Sequence, residues 1–581
     1  MSILRILSPA ILIFFISFQS FPQDIIYTPY ELSGKKNTAT YEQGIDFYNK
    51  LDEKYNTIKT IEAGQTDQGI PLHLVIYNSD KEFDIELLNS SNKIKILVMN
   101  AIHPGEPAGV DASMMLLRDI AAKKQLEEIS NQFVLIIIPF YNIGGALNRN
   151  SFSRANQNGP GEYGFRGNAK NLDLNRDFIK SDSENARSFA KIFHQFDPEL
   201  FIDTHTSNGA DYRYTITYLE THPEKLGGQL GMFLRGHFSP ALSKLMSEKN
   251  CEMFPFVNVY LNTPDKGFSQ FFDGPRYSTG YTTLFQTIGF MSEAHMLKPF
   301  SDRVECTREF LISMVQAGVN YKDEIKKRRI EDRQKLKDQL DFVIDWDTND
   351  DKVDFLIFKG YQPIYKQSNV TQQPRLVYDH NNPITVEIPY YNGLQPKNSV
   401  RRPKAYLIPQ EWNDVIDILE INSIEFSRIQ KDTAINVTIY FIQDMNTYNN
   451  PHEGHYPHFN TNVITEADLI AFHKGDIIIY TDQPGIRYLL ETLEPEAPDS
   501  FFNWNFFDSI LSQKEHFSSY VFEETAEQIL QGHPSLRDSL IQKRNSDDTF
   551  NSDARAQLNY IYKNSPYFEK SFKRYPVFRI E

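Results

Sequence analysis

The chain predicts an α/β fold, a mainly parallel mixed sheet with helices on both faces, followed by a β-rich mixed accessory region. Three observations carry this expectation: short runs that are apolar at successive positions, amphipathic stretches of helical period between them, and a change of pattern near residue 320. Continuous apolar runs suit strands covered on both faces, and strand, helix and strand in repetition give parallel pairing.

Taken in order, Tyr41 to Tyr55 reads as a helix, Lys93 to Met99 as a strand, and Val110 to Ala122 as a helix with apolar residues at helical spacing. Phe133 to Ile138 is a second strand rich in β-branched residues. Ser183 to Phe196 is an amphipathic helix that leads through Asp197-Pro198 to a short strand, Leu200 to Asp203, and Leu284 to Met291 is a further apolar run. Beyond residue 320 come a charged helix and then alternating strands such as Ile384 to Ile388 and Ile435 to Ile439, mixed with helical stretches at Asp508 to Gln513 and Glu524 to Leu530.

At 581 residues the chain exceeds one ordinary core, so separately packed units are expected. The expected division is residues 24–320 as the unit carrying the chemistry, 321–340 as a charged linker helix and 341–581 as the accessory region. The basic run Lys326 to Arg329 lies among Asp323, Glu324, Glu331 and Asp332, where acids three and four positions away pair with bases, and reads as a solvated helix between units.

A formal net charge of −16 repels a phosphate backbone and argues against a nucleic-acid partner. Residues 1–23 read as a signal peptide: Arg5, an apolar stretch from Ile6 to Phe18, then polar Gln23-Asp24 just beyond. No later stretch is continuously apolar enough to span a bilayer, so an exported protein, periplasmic or extracellular and without membrane association after cleavage, is expected. The two cysteines, Cys251 and Cys306, exclude a cysteine-rich zinc site; a disulfide and two buried thiols are both open.

The candidate chemistry begins directly after a strand, at His103-Pro104-Gly105-Glu106, where a tight turn brings an imidazole and a carboxylate onto one ion. Leu200 to Asp203 runs into Thr204-His205, a third candidate at another strand's carboxyl end. A catalytic zinc takes three protein ligands and keeps one position open, and His103, Glu106 and His205 supply that inventory. Between them lies Asn171-Leu172-Asp173-Leu174-Asn175-Arg176-Asp177, and Glu293 follows the late apolar run.

With these four elements in this order, the stretch from about residue 40 to 320 resembles the zinc carboxypeptidase (carboxypeptidase A-like) family. The resemblance implies one zinc ion held by His103, Glu106 and His205. It implies Asp173 as the carboxylate behind the first histidine, and Asn175 with Arg176 as the pair that holds a substrate's free carboxylate. Glu293 is implied as the general base that takes a proton from a zinc-bound water attacking the scissile carbonyl. An arginine that stabilises the oxyanion is also implied, with Arg154 preferred and Arg166 second, and a capping tyrosine, for which Tyr277 is the candidate.

The expected activity is hydrolysis of the C-terminal peptide bond of peptides, or of amino-acid conjugates with a free carboxylate. A zinc-dependent deacylase or an amidase of γ-linked murein peptides is the alternative, and a non-catalytic binding protein the second. The histidines of Pro451-His452-Glu453-Gly454-His455-Tyr456-Pro457-His458 read as a loop, solvated or packed at a contact between units, rather than as a second metal site.

Overall fold

A computed structural model describes residues 25–259 and 262–581. The signal-like stretch 1–23 lies outside the described residues. No helix among the described residues is long and apolar enough to cross a membrane.

Among the described residues nine strands precede residue 300: β1 (Ile58–Gly64), β2 (Leu72–Asn78), β3 (Ile94–Met99), β4 (Phe133–Ile138), β5 (Leu200–Ser207), β6 (Ile216–Glu220), β7 (Met253–Pro255), β8 (Phe268–Ser269) and β9 (Ile288–His295). All but β8 form one mixed sheet in the order β1-β2-β4-β3-β5-β9-β6-β7. Its centre is parallel, β4-β3-β5-β9, and antiparallel neighbours flank it. The ends of β3, β5 and β9 therefore open on one edge, the position at which open α/β sheets collect functional groups.

Alternation along β3 assigns its side chains to two cores. Ile94, Ile96 and Val98 pack with residues of the helices Tyr41–Lys54, Ala108–Ala121 and Phe300–Asn320. Leu97 and Met99 face the other way, into a core with Phe189 and Phe193 of helix Glu184–Phe196. That second core also holds Tyr406, Ile486, Tyr488 and Leu489, from late in the chain, so the C-terminal region covers part of the sheet. Each such buried leucine contributes about 2–5 kcal/mol against truncation to alanine.

The region after residue 340 is β-rich and mixed. It contains β10 (Asp341–Thr348), β11 (Val353–Gln367), β12 (Pro374–Tyr391), β13 (Leu394–Arg401), β14 (Ala405–Ile408), β15 (Ser427–Arg428), β16 (Thr433–Thr447), β17 (His458–Phe472), β18 (Ile477–Tyr480) and β19 (Phe578–Ile580). Six of these make the sheet β15-β18-β14-β19-β16-β17, and the β11–β12 hairpin recruits β8 from the earlier part of the chain.

Several expectations change in detail. The run Leu284 to Met291 splits, because Leu284 to Thr287 turn after helix Ser278–Thr283 and the strand begins only at Ile288. β5 and β9 continue past their apolar runs to Ser207 and His295, through polar residues that are nonetheless buried. The charged helix, Lys322–Asp338, is solvated on one side only. Its Glu324–Arg328 pair is exposed in the expected way, but Arg329 is buried, donating to Asp197 Oδ1 at 2.7 Å and to the Gln286 carbonyl at 2.9 Å. Cys251 and Cys306 form a disulfide, with Cα atoms 5.6 Å apart.

Candidate active site

β3 ends at Met99, and the next turn carries two candidate ligands. Ala101 adopts a left-handed conformation (φ 56°), a strained one for a residue with a Cβ, and the Glu106 amide donates to the His103 carbonyl at 2.8 Å. Helix Ala108–Ala121 starts at once and packs against β5 at Gly109. A Cβ there would lie 2.0 Å from Thr204 Oγ1, so glycine is required for the turn to sit beside His205.

His103, Glu106 and His205 are all buried, and their potential ligand atoms lie within 4.8 Å of one another. The two imidazoles share one side of the sheet, with ring centroids 4.9 Å apart. Both present the same nitrogen inward: His103 Nδ1 is 3.3 Å from Glu106 Oε1, and His205 Nδ1 is 3.2 Å from Glu106 Oε2. Both turn Nε2 to a carboxylate, His103 to Asp173 Oδ1 at 2.9 Å and His205 to Asp203 Oδ2 at 2.9 Å. A carboxylate on the far nitrogen fixes the tautomer that leaves the near one free to coordinate, so this donor set fits a divalent metal. Asp203 is itself held by the Ser278 hydroxyl at 2.6 Å.

Electrostatics follow the crowding. Burial opposes the charge on Glu106, yet Arg154 and His103 outweigh it and hold its carboxyl well below the ordinary range. Burial likewise opposes charge on His205, and Asp203 and Glu106 overcome it, raising the imidazole well above its usual value. Glu293, by contrast, is pushed toward its neutral form. It is 8% exposed, burial pushes its carboxyl up and Glu106 adds to this, with His205 opposing.

Asp173 caps the short turn Leu174–Arg176, accepting from the Asn175 amide at 3.0 Å. The Asn175 side-chain oxygen accepts from the Ser278 amide at 3.2 Å, which leaves its NH2 group available as a donor. The Arg176 guanidinium lies over the Tyr277 ring, 4.4 Å from its centroid. Arg166 is held on Asp173, with Nε at 2.9 Å and a terminal nitrogen at 2.8 Å, and its other terminal nitrogen is 3.3 Å from His103 Nδ1. Arg154 commits both terminal nitrogens, one to Glu106 Oε1 at 2.5 Å and one to the Thr206 carbonyl at 3.2 Å.

A cleft of about 170 Å³ brings these groups together: His103, Glu106, Arg154, Arg166, Asn175, Arg176, His205, Tyr277 and Glu293 all line it, and Asp173 stands behind His103. Sequence reasoning missed the apolar walls, Leu219, Phe256, Phe271 and Met291. It also missed Asp203, although an acid two positions before a histidine on one strand shares its face.

The three histidines of the 451–458 turn do not gather on one point. His455 pairs with Asp182 at 2.7 Å, His458 with Asp508 at 3.0 Å, and His452 stacks on Trp504. Of the three only His455 meets the 171–182 segment, and among the described residues only His103, Glu106 and His205 form a group able to hold a metal ion. His295 is also structural in its contacts, buried against Tyr212 and paired with Asp211 at 3.0 Å.

A mixed α/β sheet carries a His–Glu–His group at its carboxyl edge with an Asp-x-Asn-Arg turn beside it, and the chain is similar to peptidases of the zinc carboxypeptidase-like family. Among curated proteins it is similar to carboxypeptidase 2 of Trichophyton rubrum, 22% identical over 436 residues that cover 71% of this chain and 74% of the relative. The same-named protein of Trichophyton equinum is 22% identical over 437 residues, with the same coverage. Matches of that length extend past residue 320, so part of the C-terminal region is shared as well. Among solved structures, a metallo-carboxypeptidase from Burkholderia cenocepacia is 14% identical with a TM-score of 0.37, covering 49% of this chain and 70% of its own. One from Pseudomonas aeruginosa has the same identity, TM-score and coverage. No family model matches the chain.

Proposed function

We propose that the protein is a zinc-dependent metallocarboxypeptidase that removes the C-terminal residue of peptides outside the cytoplasm. The observation that carries this reading is the pairing of the His103–Glu106–His205 group with Glu293 and the Asn175–Arg176 turn in a single cleft.

His103 and His205 through Nδ1, and Glu106 through its carboxylate, would hold the metal. Zinc suits two imidazoles and a carboxylate, and when bound it lowers the pKa of water and polarises a carbonyl. The remaining work falls to the protein. Arg176 and the Asn175 NH2 group bind the free carboxylate of the terminal residue, which fixes which peptide bond reaches the metal ligands. Tyr277, stacked on Arg176, covers that residue from solvent. Glu293 accepts a proton from the attacking water and returns it to the leaving amine; burial, which favours its protonated form, suits it to hold that proton between the two steps.

For the oxyanion, geometry favours Arg166 over Arg154. Asp173 fixes Arg166 from behind and leaves one terminal nitrogen directed at the ligand atoms, whereas Arg154 has both of its own engaged. The apolar walls favour an apolar terminal side chain. The Cys251–Cys306 disulfide supports an oxidising, exported setting.

The test is metal content together with product release from a mixed peptide pool. One zinc per chain and free amino acids released from C-termini support the reading. Release of acyl groups or γ-linked fragments instead would favour the deacylase or amidase alternative, and a metal-free, inert protein would favour a binding role.

A further inference from the structure

The turn between β16 and β17 comes from late in the chain, yet it reaches the segment that stands behind the cleft. Its tip is held in shape by reciprocal backbone hydrogen bonds between His452 and His455, at 2.8 and 3.1 Å. Glu453 (φ 50°) and Gly454 (φ 83°) adopt left-handed conformations there. The turn is anchored on both sides, by His455 on Asp182 and by His452 against the Trp504 ring, which also lies under Lys180 and Arg276. At the tip, Glu453 Oε2 accepts the backbone N–H of Asp173 at 2.6 Å.

That amide is the entry to the turn on which the candidate site depends. Asp173 orients His103 through its side chain and caps Leu174–Arg176 through the Asn175 amide. A carboxylate on the Asp173 N–H is a charge-assisted bond that fixes the peptide plane from outside the cleft. The next three residues inherit their direction from that plane, Arg176 among them.

We propose that Glu453 is a positioning residue for the carboxylate clamp: it pins the Asp173 backbone and so sets where Arg176 presents its guanidinium. The C-terminal region thereby braces the clamp from outside the cleft. This rests on the reading that Arg176 takes the substrate's terminal carboxylate.

The test compares N-benzoyl-glycyl-L-phenylalanine with its C-terminal amide as substrates for the full-length zinc-loaded protein. In Glu453→Ala, KM for the acid is expected to rise roughly tenfold, the size of losing one hydrogen bond to a charged group, with kcat little changed. The amide, which does not use the clamp, is expected to be unaffected, so the acid-over-amide preference falls by the same factor. Glu453→Asp, which keeps the charge but shortens the reach, should give the same shift without removing the carboxylate. Glu453→Gln, which keeps an acceptor at full reach, should restore most of the preference. A purely structural role would lower both substrates together. An unchanged acid-over-amide ratio in Glu453→Ala or Glu453→Asp overturns this inference alone, whereas a wild type that does not prefer the acid overturns the clamp and the inference with it.

Discussion

His205 on β5 and Glu293 on β9 stand directly opposite each other in the parallel register of the sheet. Register thereby sets a metal-ligand candidate beside the candidate base, with no loop between them to relax. Replacing Glu293 by Gln keeps the shape and should preserve both fold and metal content. Turnover is expected to drop by roughly 10²–10⁴-fold, the usual contribution of a positioned base. Steady-state kinetics with metal analysis on the same sample checks this; full activity in the variant would remove Glu293 from the chemistry.

The two arginines near Glu106 separate by mutation. Arg166→Ala is expected to lower kcat about 10²–10³-fold, as for loss of an oxyanion donor. Arg154→Ala should cost about tenfold or less, the scale of one hydrogen bond to a charged group. The reverse order in kcat would exchange their roles.

Asp111, on the helix that follows the His103–Glu106 turn, is fully buried, and its carboxyl is raised to about 7, chiefly by burial. Between its ordinary value near 3.8 and about 7, the unfolded chain releases this proton while the folded one keeps it. Its contribution is therefore most favourable at low pH and is lost as pH climbs toward 7, at no more than about 1.4 kcal/mol per pH unit. Asn at this position keeps the acceptor for the Ala39 amide. Urea unfolding of Asp111→Asn should show it gaining on the wild type from pH 4 to 7 and running parallel above; a constant difference throughout would mean that Asp111 is ionised in the fold.

The disulfide joins residues 55 positions apart, from the strand edge at Cys251 to helix Phe300–Asn320 at Cys306. Closing a loop of that size restricts the unfolded chain, and the double Ser variant should lose about 4 kcal/mol. Denaturant midpoints with and without reductant measure it, and reductant should leave the variant unmoved.

The clustering of the three candidate ligands was legible because they follow runs of apolar residues whose strand character is unambiguous. The Asp-x-Asn-Arg turn was legible because residue order alone distinguishes it. The exact reach of β5 and β9 was not, since Thr204, Thr206 and Ser292 are buried polar residues that a hydropathy pattern reads as loop. Phe256 and Phe271 lie in irregular segments with no period to betray a shared wall. The Glu453–Asp173 contact joins positions 280 apart, a separation at which local patterning carries no information. The basic run misled because ion pairing along one helix face looks the same whether the opposite face meets water or, as at Arg329, another part of the chain.

Leu97 and Met99 belong to one core with Tyr488 and Leu489. A shortened gene ending after the charged helix would still encode every recognisable motif, yet its product would turn a broad oily face toward solvent. Anyone building hybrids between relatives must therefore carry the roof along with the floor, because what resembles a detachable appendage in the sequence is half of the sheet's shelter.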